Sequence, residues 1–239
     1  MQRGAGDAIE QVGALRAYAQ GISTRALQAM HCGKGMPMQI HGLILAAGFS
    51  RRMGAFKPLL RIGEQTLLET SVQSMLAGGA MQVTVVLGHR SDECAALLRS
   101  TFPPEQVRVI INPDYATTDM LASFHAGLTG LPACDAFYLL PGDMPAIAPE
   151  TYRRLALAMS QSGAMVVFPM VEERRKHPPL IAAEAIPELL AYQGETGLRG
   201  AWDGFAGNTA EVAVTDEGCT LDADTEADFE RLKAYLASR

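Results

Sequence analysis

From Ile40 onward, short apolar runs alternate with stretches whose apolar residues recur at helical spacing, and that alternation limits the chain to one class of fold. Ile40 to Ala46 reads I-H-G-L-I-L-A, apolar toward both faces, as a strand covered by helices on either side must be. Leu68, Val72, Met75 and Leu76 then fall on one helical stripe, and Gly78-Gly79 ends it. Gln82 to Leu87 is the next strand. Ser91 as N-cap, with Cys94, Leu97 and Leu98, marks a second helix, and Val107 to Ile111 a third strand. The cycle repeats through Leu121, Phe124 and Leu128, the strand Ala136 to Leu140, the helix carrying Tyr152, Leu155 and Met159, and the strand Ala164 to Phe168. Strands joined by helices of this length require right-handed crossovers. The expected fold is therefore α/β: a Rossmann-like, mostly parallel sheet with helices on both faces.

Val171 to Ala213 breaks the rhythm with Pro178, Pro179 and Pro187, and reads as a small irregular subdomain or lid for a substrate. Thr225, followed by Phe229, Leu232 and Leu236, opens a terminal helix. At the other end, residues 1–37 hold scattered glycines and only a weak amphipathic stretch (Val12, Leu15, Tyr18, Ile22). They read as an extension, disordered or weakly helical, with Met38 a candidate start of the domain at 38–239. The extension lacks the basic start, apolar centre and cleavage site of a secretory signal.

A net charge of −6 argues against a nucleic-acid groove, because such binding depends on Lys and Arg displacing counterions from phosphates. No apolar run approaches the roughly 20 residues that span a bilayer, so no membrane partner is expected. The four cysteines (Cys32, Cys94, Cys134, Cys219) have no Cys-x-x-Cys or zinc spacing and fit a reducing cytoplasm.

In an open α/β sheet ligands gather at the carboxyl ends of the strands, so the loops there carry the chemistry. The first reads Leu45-Ala46-Ala47-Gly48-Phe49-Ser50-Arg51-Arg52-Met53-Gly54-Ala55-Phe56-Lys57-Pro58. Its small residues let backbone N–H groups approach phosphate oxygens, and Arg52 and Lys57 can neutralise the charge there. Its spacing is neither G-x-G-x-x-G nor a P-loop. Taken alone, such a loop is as readily a solvated turn.

L-A-A-G-F-S-R-R-M-G-A-F-K resembles the signature of the molybdenum cofactor nucleotidyltransferases, and the likeness extends over residues 40 to 228. It implies a nucleotide-diphospho-sugar transferase-like fold. Leu45, Ala46, Ala47, Gly48, Ser50, Arg51, Arg52, Gly54 and Lys57 would wrap a nucleoside triphosphate, with Arg52 and Lys57 on its phosphates. The guanylyl branch of that family has Leu-Ala-Gly-Gly, so Ala46-Ala47-Gly48 leans toward CTP.

A second segment, Leu140-Pro141-Gly142-Asp143-Met144-Pro145, resembles the family's G-D-x-P. A carboxylate beside a triphosphate is repelled unless it holds Mg2+, the role implied for Asp143; its bland alternative is a turn capped by Asp. Leu221-Asp222-Ala223-Asp224-Thr225 resembles the family's D-x-D-T. It offers Asp222, preferred, or Asp224 as a second Mg2+ contact, with N-capping of the last helix the alternative for Asp224. Gly88-His89 lies near the base in the relatives, although His89 is equally a plain loop histidine. Asn112 and Ser123 match the family's Asn-Pro turn and polar helix start, and Ser123 is otherwise a packed helix residue. Arg174-Arg175-Lys176-His177 reads by itself as an exposed hairpin tip, whereas the likeness implies that His177 meets the pterin phosphate. Gly194 to Arg199 would line the same wall.

The resemblance thus implies transfer of CMP from CTP to molybdopterin, with Arg52, Lys57 and Asp143 catalytic, Mg2+ as cofactor, and a molybdoenzyme or its maturation factor as a transient partner. Guanylyl transfer, a sugar-phosphate acceptor, or a non-catalytic nucleotide-binding maturation factor are the alternatives.

Overall fold

The structure is a computed structural model that describes residues 38–49, 54–194 and 196–239. The expected extension, together with Ser50, Arg51, Arg52 and Met53, lies outside the described residues.

Strand β1 (Ile40–Ala46) is buried along its whole length. A short antiparallel pair, β2 (Arg61–Ile62) and β3 (Gln65–Thr66), leads into helix α1 (Leu67–Ala77). That helix opens with a capping box: the Thr66 hydroxyl accepts from the Glu69 N–H and the Glu69 carboxylate accepts from the Thr66 N–H. Then come β4 (Val83–Leu87), α2 (Ser91–Thr101), β5 (Val107–Ile111), α3 (Met120–Gly130), β6 (Ala136–Pro141), α4 (Pro149–Ser162) and β7 (Val166–Val171). Beyond it lie β8 (Arg174–Arg175), β9 (Leu180–Ala182), α5 (Ile186–Ala191), a 3-10 turn Gly197–Phe205, β10 (Thr209–Ala213) and α6 (Glu226–Ala237).

The sheet runs β10-β7-β9-β6-β1-β4-β5, with β8 hydrogen-bonded to β7. Strands β5, β4, β1 and β6 are parallel neighbours, while β9 is antiparallel to both β6 and β7. The chain moves from β1 outward to β4 and β5, then returns to the other side of β1 as β6. The topological switch point therefore lies between the ends of β1 and β6, the crevice where such sheets take ligands.

Side-chain alternation divides the core. Ile44, Val85, Leu87, Tyr138 and Leu140 face α1, α2 and α4 through Val72, Met75, Leu98 and Tyr152. Leu43, Leu45, Val86, Phe137 and Leu139 face Phe124, Leu128 and Leu189 on the other side. Both faces are packed with apolar side chains, as the unbroken apolar run of β1 requires.

Two expectations are corrected. The segment 171–213 does not stand apart from the sheet: Leu180-Ile181-Ala182, buried throughout, inserts between β6 and β7, and Thr209–Ala213 pairs with β7 as the edge strand. A strand of three residues behind two prolines has too little length to display a period. Ser91 is the first helical residue of α2 and not its cap. The N-cap is Arg90 in the left-handed region (φ 50°), reached by a tight turn in which the Ser91 N–H donates to the Gly88 carbonyl at 3.2 Å.

Candidate active site

The β1 and β6 ends are registered so that Leu45 opposes Pro141, and the Gly142 N–H donates to the Leu45 carbonyl at 2.9 Å. A Cβ on Gly142 would stand 2.8 Å from that of Ala46, so only glycine lets the two loops meet this closely. On the other flank the His89 N–H donates to the Ala47 carbonyl at 3.1 Å, and a Cβ on Gly88 would lie 2.6 Å from that carbonyl oxygen and 2.5 Å from Tyr115. The small residues of the first loop are thus clasped between two glycine-bearing strand ends.

A cleft opens at this junction, lined by Leu45, Ala46, Gly48, Pro58, Met120 and Gly142. Asp143, Asp224 and Lys57 supply its charge. The Lys57 ammonium donates to Asp143 Oδ2 at 3.0 Å and to Asp224 Oδ1 at 2.7 Å. Lys57 is delivered by a short 3-10 turn, Lys57–Leu59, and its side chain is only 10% exposed; those of Asp143 and Asp224 are 24% and 29% exposed. Burial works against the Lys57 charge, but the hydrogen bonds to Asp224 and Asp143 outweigh it and raise its pKa above the ordinary lysine value. The Ala223 N–H donates to the Asp143 carbonyl at 3.1 Å, which ties the 222–224 segment to the end of β6.

Leu45, Ala46, Gly48, Lys57 and Asp143, read separately from the sequence, therefore converge on one cleft. Asp224 joins them directly. It is not the helix cap, because Thr225 fills that position in a capping box with Asp228. Asp222 sits at the surface, partly desolvated, and the charges of Asp224 and Asp143 help raise its carboxyl pKa. Gly54 is exposed at the far side of the segment outside the described residues.

Asn112 and Ser123 are placed differently from the expectation of substrate contact. Both are buried; the Asn112 amide donates to the Ser123 hydroxyl at 3.1 Å, and its Oδ1 accepts from the Asp114 N–H at 3.0 Å. Their polar atoms are engaged in holding the 112–119 turn against the start of α3, and they shape the site without lining the cleft. His177 lies near enough to Asp143 to feel its charge, and its Nδ1 is buried and lacks a hydrogen-bond partner among the described residues. Burial lowers its pKa, with the Asp143 charge pulling the other way. Of its neighbours, Arg174 and Arg175 form the exposed strand β8 just after the hairpin tip, which is Glu172-Glu173, both at positive φ. Arg175 is held sideways by Glu211 at 2.7 Å and over the Phe168 ring at 4.7 Å.

Sequence reasoning missed the rings around the first loop. Phe49 and Tyr115 lie 5.1 Å apart, and both approach His89. The one available signal was that Phe49 and Phe56 flank the cationic stretch. Met120, 54% exposed on the cleft wall, was also missed.

The sequence profile of the MobA-like NTP transferase domain matches residues 42–210, from the second residue after the start of β1 into β10. The chain belongs to this nucleotidyltransferase family. The MobA-like chain is 28% identical over 187 residues to the molybdenum cofactor cytidylyltransferase of Escherichia coli, covering 78% of this chain and 92% of that protein. It is 29% identical over 168 residues to a protein of Paenarthrobacter nicotinovorans named nicotine blue oxidoreductase, covering 67% and 79%. Among solved structures, Rv0371c of Mycobacterium tuberculosis superposes with a TM-score of 0.66 at 25% identity, over 82% of this chain and 98% of that one. The described cysteines are all free thiols, and no helix among the described residues is long and apolar enough to cross a membrane.

Proposed function

We propose that this protein transfers CMP from CTP to the phosphate of molybdopterin, releasing pyrophosphate. The observation that carries the reading is the Lys57 ammonium held between Asp143 and Asp224 at the switch point of a MobA-like sheet. One cation and two carboxylates at the switch point suit a bound triphosphate and its metal, which supports the reading.

The donor set fits Mg2+. Two hard carboxylates converge on one cationic atom while keeping a quarter or so of their side-chain surface exposed, and Mg2+ is ordinarily held by one or two carboxylates completed by substrate phosphates. Asp143 and Asp224 would hold it, with Asp222 adjacent; bound there, it neutralises charge developing at the α-phosphorus.

The remaining work falls to the chain itself. Backbone N–H groups of Ala46, Ala47 and Gly48 face the nucleotide, and the Ala-Ala-Gly sequence supports cytosine, as does the named activity of the Escherichia coli relative. The Lys57 ammonium lines the same cleft and would carry its charge to the phosphates, and Arg52 would add a second cation. Neutral His177 would orient the acceptor phosphate beside Asp143. An acceptor phosphate oxygen attacks the α-phosphorus, the bond to the β-phosphate oxygen breaks, and pyrophosphate leaves. Alignment and charge stabilisation suffice, and no covalent enzyme intermediate is formed.

A thermal-shift panel of CTP, GTP, ATP and UTP, each with and without Mg2+, tests the binding half. A ligand at 100 times its Kd adds about 2.7 kcal/mol. A Mg2+-dependent shift with CTP alone is expected, whereas a shift with GTP alone would move the protein to guanylyl transfer. The reading also places the protein in the cytoplasm, where a molybdoenzyme or its maturation factor would receive the product.

A further inference from the structure

Asp224, a carboxylate of the cleft, stands immediately before the N-cap of the last helix, α6, and an acidic residue there has two uses open to it. Asp is among the strongest N-caps, because its oxygens accept from the N–H groups of the first helical turn and its charge suits the positive end of the helix. Asp224 instead lies 2.7 Å from the Lys57 ammonium. The cap is filled by the next residue. The Thr225 hydroxyl accepts from the Asp228 N–H at 3.2 Å, and the Asp228 carboxylate accepts in return from the Thr225 N–H at 3.0 Å and from its hydroxyl at 2.6 Å. Ahead of Asp224, Leu221 and Ala223 pack in a small apolar cluster with Leu67 and Leu232, leaving Asp222 exposed and Asp224 on the cleft. The Ala223 N–H, donating to the Asp143 carbonyl at 3.1 Å, fixes the same segment. Asp224 is therefore set between a buried anchor and a helix start whose cap is already taken.

We infer that Thr225 is a positioning residue: by filling the cap of α6 it denies the helix N-terminus the Asp224 carboxylate and so holds that carboxylate on Lys57. Removing the hydroxyl should let the helix start one residue earlier. Alanine is a poor N-cap but the best helix former, so in Thr225→Ala the cap passes to Asp224, whose carboxylate turns from Lys57 to the N–H groups of Glu226 and Ala227. The cleft would lose an acid with no change in any residue that lines it. That Asp224 serves a metal rests on the function proposed above; the exchange of caps does not.

The full-length chain without metal or nucleotide separates the two. A short pulse of acetic anhydride at one fixed pH, read by mass spectrometry, reports how firmly the Lys57 ammonium is held. Asp224→Asn sets the scale, with acetylation expected to be roughly threefold faster than in the parent. Thr225→Ala should match it, with a melting temperature only slightly lowered, and Thr225→Ser, which keeps the capping hydroxyl, should react at the parent rate. The double variant Thr225→Ala/Asp224→Asn should react no faster than Asp224→Asn, because the threonine acts through that carboxylate. A parent-like rate for Thr225→Ala, equal rates for Thr225→Ala and Thr225→Ser, or a double variant faster than Asp224→Asn would overturn the proposal. If Thr225→Ala does not fold, Thr225→Val, which keeps the volume and discards the hydroxyl, makes the same comparison.

Mn2+ supplies the second readout: its affinity, followed by electron paramagnetic resonance, should fall roughly tenfold in Thr225→Ala and return in Thr225→Ser. Faster Lys57 labelling beside an unchanged Mn2+ affinity would support the exchange of caps and sink the metal role of Asp224. A parent chain that binds neither Mn2+ nor nucleotide would sink the proposed function, and the labelling rates would still decide the role of Thr225.

Discussion

The Lys57 ammonium and the Asp224 carboxylate meet at 2.7 Å across 167 residues of sequence, which brings the end of the signature loop to the segment just before the last helix. Asp143 shares the same ammonium at 3.0 Å from the other side. The two acidic segments and the basic loop thus form one charged unit, and its parts should not behave independently.

Asp143→Ala and Asp224→Asn should each lower nucleotidyl transfer by about a hundredfold or more, the usual cost of losing an electrostatic contact to a developing charge. Asp222→Asn, at the surface, should cost less than about tenfold. Steady-state pyrophosphate release, with circular dichroism to verify folding, makes the comparison; a larger loss for Asp222→Asn than for Asp224→Asn would reverse the assignment.

On the proposed reading, Lys57 and a divalent cation would compete for the carboxylate oxygens of Asp143 and Asp224. Nucleotide-free Lys57→Met should therefore bind Mn2+ more tightly than the parent, while losing turnover. Electron paramagnetic resonance of free Mn2+ during a titration reads the difference, and equal affinities would show that the ammonium does not occupy the metal's place.

Much of this unit was legible in the sequence because its parts lie at strand ends, and the strands are marked by apolar runs that need no partner to be recognised. β1 and β5 were read to the residue, and Lys57 and Asp143 followed from the loops behind β1 and β6. Asp224 was harder, since an acidic residue before a helix is equally a cap; only the Thr225–Asp228 capping box, a three-dimensional fact, frees it for the site. Asn112 and Ser123 look like ligands in sequence because polar side chains near a helix start can face an anion, yet here they satisfy one another in a buried turn. The short strand β9 and the ring cluster around His89 depend on contacts between distant segments that no local period encodes.

Gly88→Ala should damage the site without touching it chemically. The added methyl group would press on the Ala47 carbonyl oxygen and Tyr115, both fixed, so a loss of about 1–3 kcal/mol in stability is expected with weakened nucleotide binding. Urea denaturation and calorimetric titration with CTP test both effects.

Asp216 holds the region behind the site together. Its carboxylate accepts from the Ala148 N–H and the Thr151 hydroxyl, both at 2.7 Å, from the Gly218 N–H at 3.1 Å and from Arg239 at 3.3 Å. Asp216→Ala strands several of these buried donors and should cost about 3 kcal/mol in urea denaturation.

Stability should fall on both sides of a neutral plateau. Burial depresses the pKa of His41 and of His177, so both are neutral in the folded state, and the stability this gives is complete above the unfolded value of about 6.5 and lost as pH falls below it. Lys57 has a raised pKa, so its contribution is complete below about 10.4 and lost as pH rises through the higher folded value. Urea midpoints across pH should show both limbs, and His41→Leu should flatten the acid one.

The measurement closest to the central claim is direct detection of product. The protein, Mg2+, CTP and molybdopterin are incubated together, and mass spectrometry follows the cytosine dinucleotide while a coupled assay follows pyrophosphate. Equal amounts of both, dependent on Mg2+ and absent in Asp143→Ala, are predicted. Product from GTP and not CTP, or no pyrophosphate from any nucleotide with this acceptor, would contradict the account.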